Sequence, residues 1–230
     1  MTLIEQQLFA AITPNELLCQ SWAQRDAATR APNITQLTSH FNALALWTVK
    51  SVVEPATVKQ RAKRLSFLVD VAEQLREMGN YSTLMAIIAG LNKASVLRLK
   101  LTLKECGPKC LRKMSELETL MSADGAYRNY RTVVKSSILP CIPYIGVVLL
   151  DLTFMEDGNQ DRIGDHINFV KRQMIAEVIR DLELKQTTAY PFKWNDEVAR
   201  SFVLLPRASV EYESQLWAES KRKESSQPAQ

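Results

Sequence analysis

The fold class of this 230-residue chain depends on residues 140–154, which read PCIPYIGVVLLDLTF. The β-branched run at the centre fits a buried strand as well as a buried helix, because a short apolar run has no diagnostic period. A lone strand with no second strong candidate to pair with would leave its backbone N–H and C=O groups unbonded. We therefore predict a helix that is entered through Pro143 and ends near residues 156–158.

The residues that follow predict a partner for this helix. A polar loop spans residues 158–164, and helical spacing then runs over residues 163–184. The predicted apolar stripe of the second helix consists of Ile167, Val170, Met174, Val178 and Leu182. Two long antiparallel helices joined by a short polar loop form an αα-hairpin, so we expect a helical hairpin here.

Helical patterns continue over most of the chain. The strongest lies over residues 57–78, where apolar residues recur at intervals of three and four before Gly79 and Asn80. Residues 82–92 are apolar on most sides, which is typical of a buried helix. Further helices are predicted over residues 41–53, 109–121, 127–135, 196–204 and 210–223. Eight or more helices without a convincing strand indicate an all-α domain.

Composition supports one globular helical domain. Apolar residues make up 46% of the chain and charged residues 23%, which excludes a disordered or fibrous protein. Seven glycines and nine prolines are too few for the many turns of an all-β domain. The lack of internal repeats opposes an α-solenoid adaptor. We assign residues 1–223 to the domain and residues 224–230 to a disordered, solvated tail.

Charge and cysteine content bear on partners and compartment. The 29 basic and 25 acidic residues are well mixed and give a net charge of +4, which does not indicate nucleic-acid binding. Four cysteines without zinc or disulfide spacing indicate a reducing compartment. The start of the chain has no signal-peptide pattern, and the longest uncharged run, residues 136–150, is shorter than the roughly 20 residues that span a bilayer. We expect no transmembrane segment.

Few residues are suited to covalent catalysis. The chain has two histidines, His40 and His166, and none of the short zinc-protease, hydrolase, phosphate-loop or dinucleotide motifs. A ligand pair at Cys106 and Cys110 is conceivable, but packing cysteines are the favoured interpretation and we assign them no role. The acidic run at residues 156–161 lacks the alternating ligands of a calcium loop. We expect no cofactor and no metal site, and the residues favour a helical binding module.

Residues 140–168 read PCIPYIGVVLLDLTFMEDGNQDRIGDHIN and are followed by FVKRQMIAEVI. This stretch resembles the catalytic domain of Ras-family guanine-nucleotide exchange factors, which runs from a P-C-x-P-[YF]-x-G helix through D-L-[TA]-[FY] and an acidic-Gly-Asn turn to I-N-F-x-K-R. Other blocks of the family occur in the same order, namely Pro32-Asn33, Phe41-Asn42, Trp47, Arg61-Ala62, Asn80-Tyr81, residues 91–100 and residues 127–131. The resemblance covers about residues 3–221. One departure is Leu103, where many members have tryptophan, and it concerns packing.

The resemblance implies an all-helical bowl with a protruding helical hairpin. The hairpin helix would be residues 144–156, pushed into a small GTPase between its first switch and its phosphate loop. Thr153 would crowd the magnesium site, and Asp157, four residues on and so on the same helix face, would stand near the groups that hold phosphate and metal. The family usually has glutamate where this chain has Asp157, so either the helix inserts deeper or the shorter carboxylate acts through a water molecule.

The other site residues implied by the resemblance bind the GTPase, chiefly its second switch, and they are Met85, Asn92, Tyr127, Tyr144 and Phe154. Lys171 and Arg172 are instead expected to form structural ion pairs. The residues alone leave other interpretations open. Thr153 and Asp157 also suit an ordinary solvated helix end, and Met85 and Tyr144 also suit core packing.

The implied function is guanine-nucleotide exchange: the domain would promote GDP release from a Ras-family small GTPase without covalent chemistry and without hydrolysing GTP itself. The alternative is a scaffold of the same fold that binds a GTPase but does not discharge it, and Asp157 is the residue that could decide between them. Among the GTPases we rank Ras first, Rap second and Ral third. We expect a cytoplasmic protein and leave open its recruitment to the inner membrane surface through other domains.

Overall fold

The computed structural model describes residues 1–203, 205 and 208–224. Within those ranges the regular secondary structure is helical except for two short antiparallel strands, so the predicted all-α class is confirmed. None of the described helices combines the length and the apolar character that crossing a bilayer requires.

The first half of the chain folds into helices α1 (Thr2–Ala10), α2 (Ala27–Arg30), α3 (Pro32–Val53), α4 (Val58–Glu77), α5 (Tyr81–Leu91) and α6 (Ala94–Leu97). Two 3-10 turns, Pro14–Leu17 and Ser21–Ala23, connect α1 to α2. Helix α4 begins where its sequence predicts because Thr57 and Gln60 cap each other: Gln60 N donates to Thr57 Oγ1 at 3.3 Å, and Thr57 N donates to the Gln60 side chain at 3.2 Å.

Helix α3 begins at Pro32, well before the predicted start at residue 41. Proline suits the first helical position, and the next N–H groups are bonded from a distance. The Glu16 carboxylate accepts from Asn33 N at 2.8 Å and from Ile34 N at 3.1 Å. A cap supplied by a residue 17 positions upstream leaves no local pattern, which is why the early start was not predicted.

The second half folds into α7 (Lys100–Met121), α8 (Asp124–Lys135), α9 (Ile145–Gly158), β1 (Arg162–Ile163), β2 (His166–Ile167), α10 (Phe169–Gln186), α11 (Asp196–Val203) and α12 (Val210–Lys223). The ambiguous stretch at residues 140–154 is a helix from Ile145 onward, as predicted. Helix α12 has the predicted bounds, whereas the last residue of the predicted helix 196–204 lies outside the described residues.

The centre of the domain is the crossing of α3 and α5. Helix α5 is buried on most sides, with Leu84, Ile87 and Leu91 fully covered, as its apolar sequence predicts. Gly90 permits the close approach, because a Cβ there would lie 2.5 Å from the carbonyl oxygen of Ala45 on α3. Helices α4 and α7 pack outside this pair and complete the main core cluster.

The predicted helix over residues 163–184 is wrong at its start. Gly164 adopts a positive φ of 58°, and Arg162 pairs with Ile167 across a tight β-hairpin, so helix α10 begins only at Phe169. The predicted stripe is right only in part. Ile167 and Val170 are exposed, whereas Leu182 is buried in a second core cluster with α1 and α9, and Val178 packs against that cluster. Ile175 and Ile179, which were not in the predicted stripe, are buried in the same cluster.

The prediction that residue 224 belongs to a solvated tail is wrong as well. Glu224 is buried, and its carboxylate accepts from Arg61 Nη2 at 3.0 Å and from Thr102 Oγ1 at 2.6 Å. Leu101 N donates to the other carboxylate oxygen at 2.9 Å. The end of α12 is therefore fastened to α4 and α7 by a buried acid. Residues 225–230 lie outside the described residues.

Candidate functional site

Helices α9 and α10 form the predicted helical hairpin, and a buried lysine holds its end together. Lys171 Nζ lies 2.7 Å from Glu156 Oε2, 3.1 Å from Asp161 Oδ1 and 3.0 Å from the carbonyl oxygen of Glu156. Three acceptors match the three N–H bonds of the ammonium, so the charge is buried with its partners. Arg172 also contacts Asp161, at 2.7 Å, which confirms the prediction of structural ion pairs.

The loop at the end of the hairpin is shaped by hydrogen bonds to Asn168. Its Oδ1 accepts from Lys171 N at 3.2 Å and caps α10, while its Nδ2 donates to the carbonyl oxygen of Gln160 at 2.9 Å. Lys171 and Arg172 together hold the pKa of Asp161 below its ordinary value, so this acid stays ionised at neutral pH. We call residues 153–170, the end of α9 with the following loop and the first turn of α10, the hairpin tip.

The hairpin tip exposes large apolar side chains. Exposed fractions of 65% or more belong to Phe154, Ile163, Ile167, Phe169 and Val170. A monomeric domain rarely presents so many large apolar groups on one projecting element, and such patches mark interaction sites. Of these residues only Phe154 was predicted to bind a partner. The others were not predicted; for Ile167 and Val170 the helical spacing suggested that they face the core.

Thr153 and Asp157 lie one turn apart on α9, as predicted. The Thr153 hydroxyl donates to the carbonyl oxygen of Leu149 at 2.8 Å, within its own helix. Asp157 is exposed, and its Oδ1 accepts a hydrogen bond of 2.7 Å from Gln20 Nε2. An exposed carboxylate is thus held in one orientation beside a hydroxyl and an exposed aromatic ring.

Gln20 reaches Asp157 from a strained turn. Cys19 and Gln20 both have positive φ angles, 53° and 51°, which costs on the order of 1 kcal/mol or more for each residue that is not glycine. Ser21 supports the turn, since its Oγ donates to the carbonyl oxygen of Leu18 at 2.7 Å. The sequence gives no sign of this contact because 137 residues separate its partners.

The N-terminal end of α9 carries an aromatic cluster. The Tyr144 ring stacks on Phe41 with centroids 5.5 Å apart and lies 6.3 Å from Tyr127. Beneath it, the buried hydroxyl of Tyr130 accepts from Tyr144 N at 2.8 Å. Burial raises the pKa of Tyr130 and of Tyr144, so both phenols are neutral at physiological pH. We call Phe41, Tyr127 and Tyr144 the aromatic surface.

Backbone features fix the aromatic surface. Gly146 lies so close under Tyr144 that an added Cβ would be 2.5 Å from Tyr144 Cζ. Tyr127 itself has a positive φ of 62°, in a segment that begins with Gly125 and Ala126 in the same conformation. Strain at a non-glycine residue persists only where its surroundings impose it, and Tyr127 is held by its aromatic neighbours.

Met85 lies on α5, and Asn92 follows the last residue of that helix, seven positions further along the chain. Met85 is half-buried and packs against the same core cluster as Tyr127 and Tyr144. Asn92 is exposed and hydrogen-bonds to Glu118, whose pKa is raised by burial. Helix α9 joins the aromatic surface to the hairpin tip, and the 13 residue steps from position 144 to position 157 correspond to about 20 Å.

Comparison with known proteins identifies the family. A family model described as the RasGEF domain matches residues 1–173, three quarters of the chain, and the positions of the seven predicted site residues fall within that range. The chain belongs to the RasGEF domain family.

Similar proteins occur in Dictyostelium discoideum. Ras guanine nucleotide exchange factor K is 44% identical over 192 residues, which cover 83% of this chain and 12% of that protein. Factor R is 38% identical over 210 residues, which cover 91% of this chain and 12% of that protein. Factor A is 33% identical over 237 aligned residues, which cover 97% of this chain and 39% of that protein. The chain therefore spans only about an eighth to two fifths of the length of these relatives.

The two surfaces offer different groups to a partner. Among the described residues, no group of three or more histidine, cysteine or acidic side chains is placed to hold a metal ion. The hairpin tip offers an oriented carboxylate, a hydroxyl and apolar side chains, and the aromatic surface offers rings on a rigid base. Such groups can bind a partner and compete for its hydrogen-bond donors.

Proposed function

We propose that this RasGEF domain promotes GDP release from a Ras-family small GTPase by inserting the hairpin tip near the phosphate and magnesium site. The observation that carries the proposal is the hairpin tip itself. There an oriented acid, Asp157, stands at the end of α9 among exposed apolar side chains, and Lys171 fixes the loop beside it. Family membership and the names of its relatives support it. Ras is the first candidate substrate, Rap the second and Ral the third.

The physical problem for such a domain is the tightness of nucleotide binding. A dissociation constant of order picomolar corresponds to about 16 kcal/mol, and a GTPase gains it through magnesium and backbone amides that surround the phosphates. In our proposal the Asp157 carboxylate takes up donors that would otherwise bind phosphate, and Thr153 crowds the metal. Because coupling between two ligands is reciprocal, an incoming nucleotide also expels the domain.

The aromatic surface has a different part in the proposal. Tyr127 and Tyr144, together with Met85 and Asn92, hold the second switch of the GTPase while the hairpin tip acts on the nucleotide. The packing of Met85, Tyr127 and Tyr144 against the main core gives this contact a rigid base, which lowers the entropy lost on binding. The cytoplasm, with recruitment to the inner membrane surface through other domains, is the proposed location.

One observation favours a second candidate, a scaffold that binds a GTPase without discharging it. Asp157 stands where the family usually has glutamate, and its Oδ1 already accepts from Gln20 at 2.7 Å. A shorter acid with an intramolecular partner has less to offer a phosphate-binding loop. The two candidates differ in the effect of the domain on nucleotide release, and both involve binding.

The deciding experiment measures release of fluorescent GDP from a panel of Ras, Rap and Ral proteins. We expect faster release from at least one of them and no GTP hydrolysis by the domain alone. A complex should survive gel filtration when a chelator strips the nucleotide, and it should dissociate when GDP or GTP is added with magnesium. Stable binding with unchanged release across the panel would establish the scaffold instead.

A further inference from the structure

Two cysteines face each other in the seam between α4 and α7, and neither is among the residues of the proposed exchange site. Cys106 Sγ donates to the carbonyl oxygen of Ala62 at 3.4 Å, and the Cys110 thiol hydrogen-bonds to Ser66 and to Cys106. Ala62 and Ser66 lie one turn apart on α4. Both thiols therefore point into the same seam, in contact with each other.

The backbone between these cysteines is interrupted. Gly107 has φ 77° and ψ 167°, which divides α7 into two helical parts, and Pro108 begins the second part. A Cβ added at Gly107 would meet no atom within 4 Å. A disulfide needs its two Cβ atoms about 3.5–4.5 Å apart. Because the helix is already interrupted at Gly107, closing such a bond here would not break a continuous helix.

We propose that Cys106 and Cys110 form a redox modification site, at which a peroxide converts the thiol pair into a reversible intramolecular disulfide. The Cys110 thiolate attacks one peroxide oxygen, becomes a sulfenic acid and releases hydroxide, which takes up a proton to become water. The Cys106 sulfur then attacks the sulfenic sulfur, loses its proton and expels a second water. Two thiols lose two electrons in total, and hydrogen peroxide is reduced to two waters.

The surroundings make Cys110 the attacking thiol. The hydrogen bond from Cys106 lowers the pKa of Cys110, helped by Ser66 and the Lys113 ammonium and opposed by burial and by Asp70. The same hydrogen bond, with burial, raises the pKa of Cys106, which therefore keeps the proton. Cys106 is half-buried, so a small oxidant can reach the pair from its side of the seam.

The chain contains two internal controls. Cys141 is buried like Cys110, but burial raises its pKa to about 11. Cys19 is exposed and is the thiol best placed to link two molecules. At pH 7 the lower pKa of Cys110 gives it a greater thiolate fraction than Cys141, so we expect it to react several-fold faster with a small alkylating agent even though a lower pKa also reduces nucleophilicity.

The test uses the full chain with Cys19→Ser, treated with hydrogen peroxide and then digested with trypsin. Lys109 lies between the two cysteines, so the disulfide would join the tryptic peptides of residues 105–109 and 110–112. We expect this linked pair, its loss after dithiothreitol, and a fall in free thiols from three to one. Free peptides, or linkage to Cys141 instead, would overturn the proposal.

Two variants separate reactivity from packing. In Cys106→Ser the linked pair cannot form, and Cys110 should proceed to sulfinic acid under the same peroxide treatment. In Ser66→Ala both thiols remain, so the linked pair should still form, but alkylation of Cys110 at pH 7 should slow several-fold because one donor to the thiolate is lost. Equal alkylation rates for Cys110 and Cys141 in the folded protein would also contradict the proposal.

Discussion

The two ends of α9 present opposite kinds of surface. At the N-terminal end, Tyr144 lies among half-buried aromatic rings, and its backbone N–H is bonded to a buried tyrosine of the core. At the C-terminal end, Phe154 and Asp157 project to solvent from the last turns of α9, beside a loop held by polar contacts and one buried lysine. Packing thus ties the first surface to stability, while the outer face of the hairpin tip can change without disturbing the core.

The contrast between the two ends can be tested at Lys171, because this residue of the hairpin tip is buried even though its neighbours are exposed. In Lys171→Met the Glu156 carboxylate loses its cation while Asp161 keeps Arg172, and we expect a loss of about 3 kcal/mol in the free energy of unfolding, together with most of the exchange activity. This loss is at the low end of the roughly 3–5 kcal/mol typical of a broken buried ion pair, because Asp161 is largely exposed to solvent. Urea denaturation and GDP release measure the two effects.

Arg172→Met is the matched control for Lys171→Met. It removes the neighbouring cation from the same acid, Asp161, but from an exposed position, so stability should change by no more than about 0.5 kcal/mol. If both variants were as stable as the wild type, the hairpin tip would have no interior, and its shape would have to come from elsewhere.

The next largest effect concerns the rate alone. Asp157→Asn and Asp157→Ala should slow GDP release by roughly 10- to 150-fold, since one charge-assisted hydrogen bond is worth about 1.5–3 kcal/mol in the rate-limiting step. Asp157→Glu should retain or raise the rate, because it restores the reach usual in the family. Melting temperatures should be unchanged for all three, since the residue is exposed.

Asp165→Asn provides the charge control for Asp157. It removes a negative charge from the exposed turn between β1 and β2, so a rate that depends only on the net charge of the hairpin tip would fall equally in both variants. Equal rates for wild type, Asp157→Asn and Asp157→Ala, with stability intact, would make the acid a bystander. The aromatic surface and Thr153 would then carry the exchange.

At the other end of α9, a single methyl group should affect both stability and binding. In Gly146→Ala the added Cβ overlaps the Tyr144 ring, and displacing the ring should cost about 1–3 kcal/mol of stability and weaken binding to a nucleotide-free GTPase. Gly158→Ala makes the same change where no atom lies within 4 Å, so it should be neutral or slightly stabilising. Thermal melts and pull-down of the stripped GTPase test the pair; a Gly146→Ala protein that melts and binds like the wild type would contradict the proposed role of the ring.

The sequence predicted the elements whose signals are local. Periodicity and the stop at Gly79 and Asn80 located α4, and the lack of a pairing strand identified α9 as a helix. Family motifs grouped Tyr127 with Tyr144, which the structure brings within 6.3 Å. Strands of two residues around Gly164 are too short to show a period, so the start of α10 was misplaced.

Long-range polar contacts formed the larger part of what was missed. Glu16 capping α3, Glu224 bound to Arg61, and Gln20 beside Asp157 each join residues that are far apart in the chain. A polar side chain looks alike in sequence whether it is solvated or paired, because its partner is fixed only by the fold. Gln20 is the case that bears on function.

The smallest expected effect tests whether Gln20 positions Asp157. Gln20→Ala removes the exposed 2.7 Å hydrogen bond from Gln20 Nε2 to Asp157 Oδ1. GDP release should therefore slow by about two- to fivefold, which corresponds to roughly 0.5–1 kcal/mol. Gln20→Glu places a second carboxylate against the first and should slow release further, with recovery at higher salt as the repulsion is screened. The decisive measurement is a double-mutant cycle: in an Asp157→Ala background, Gln20→Ala should have no effect on release, because the group that it orients is gone. A strained turn that merely supports the fold would give the same loss in both backgrounds and would lower the melting temperature as well. Additive effects would therefore separate Gln20 from the acid and leave the hairpin tip with an unassisted carboxylate.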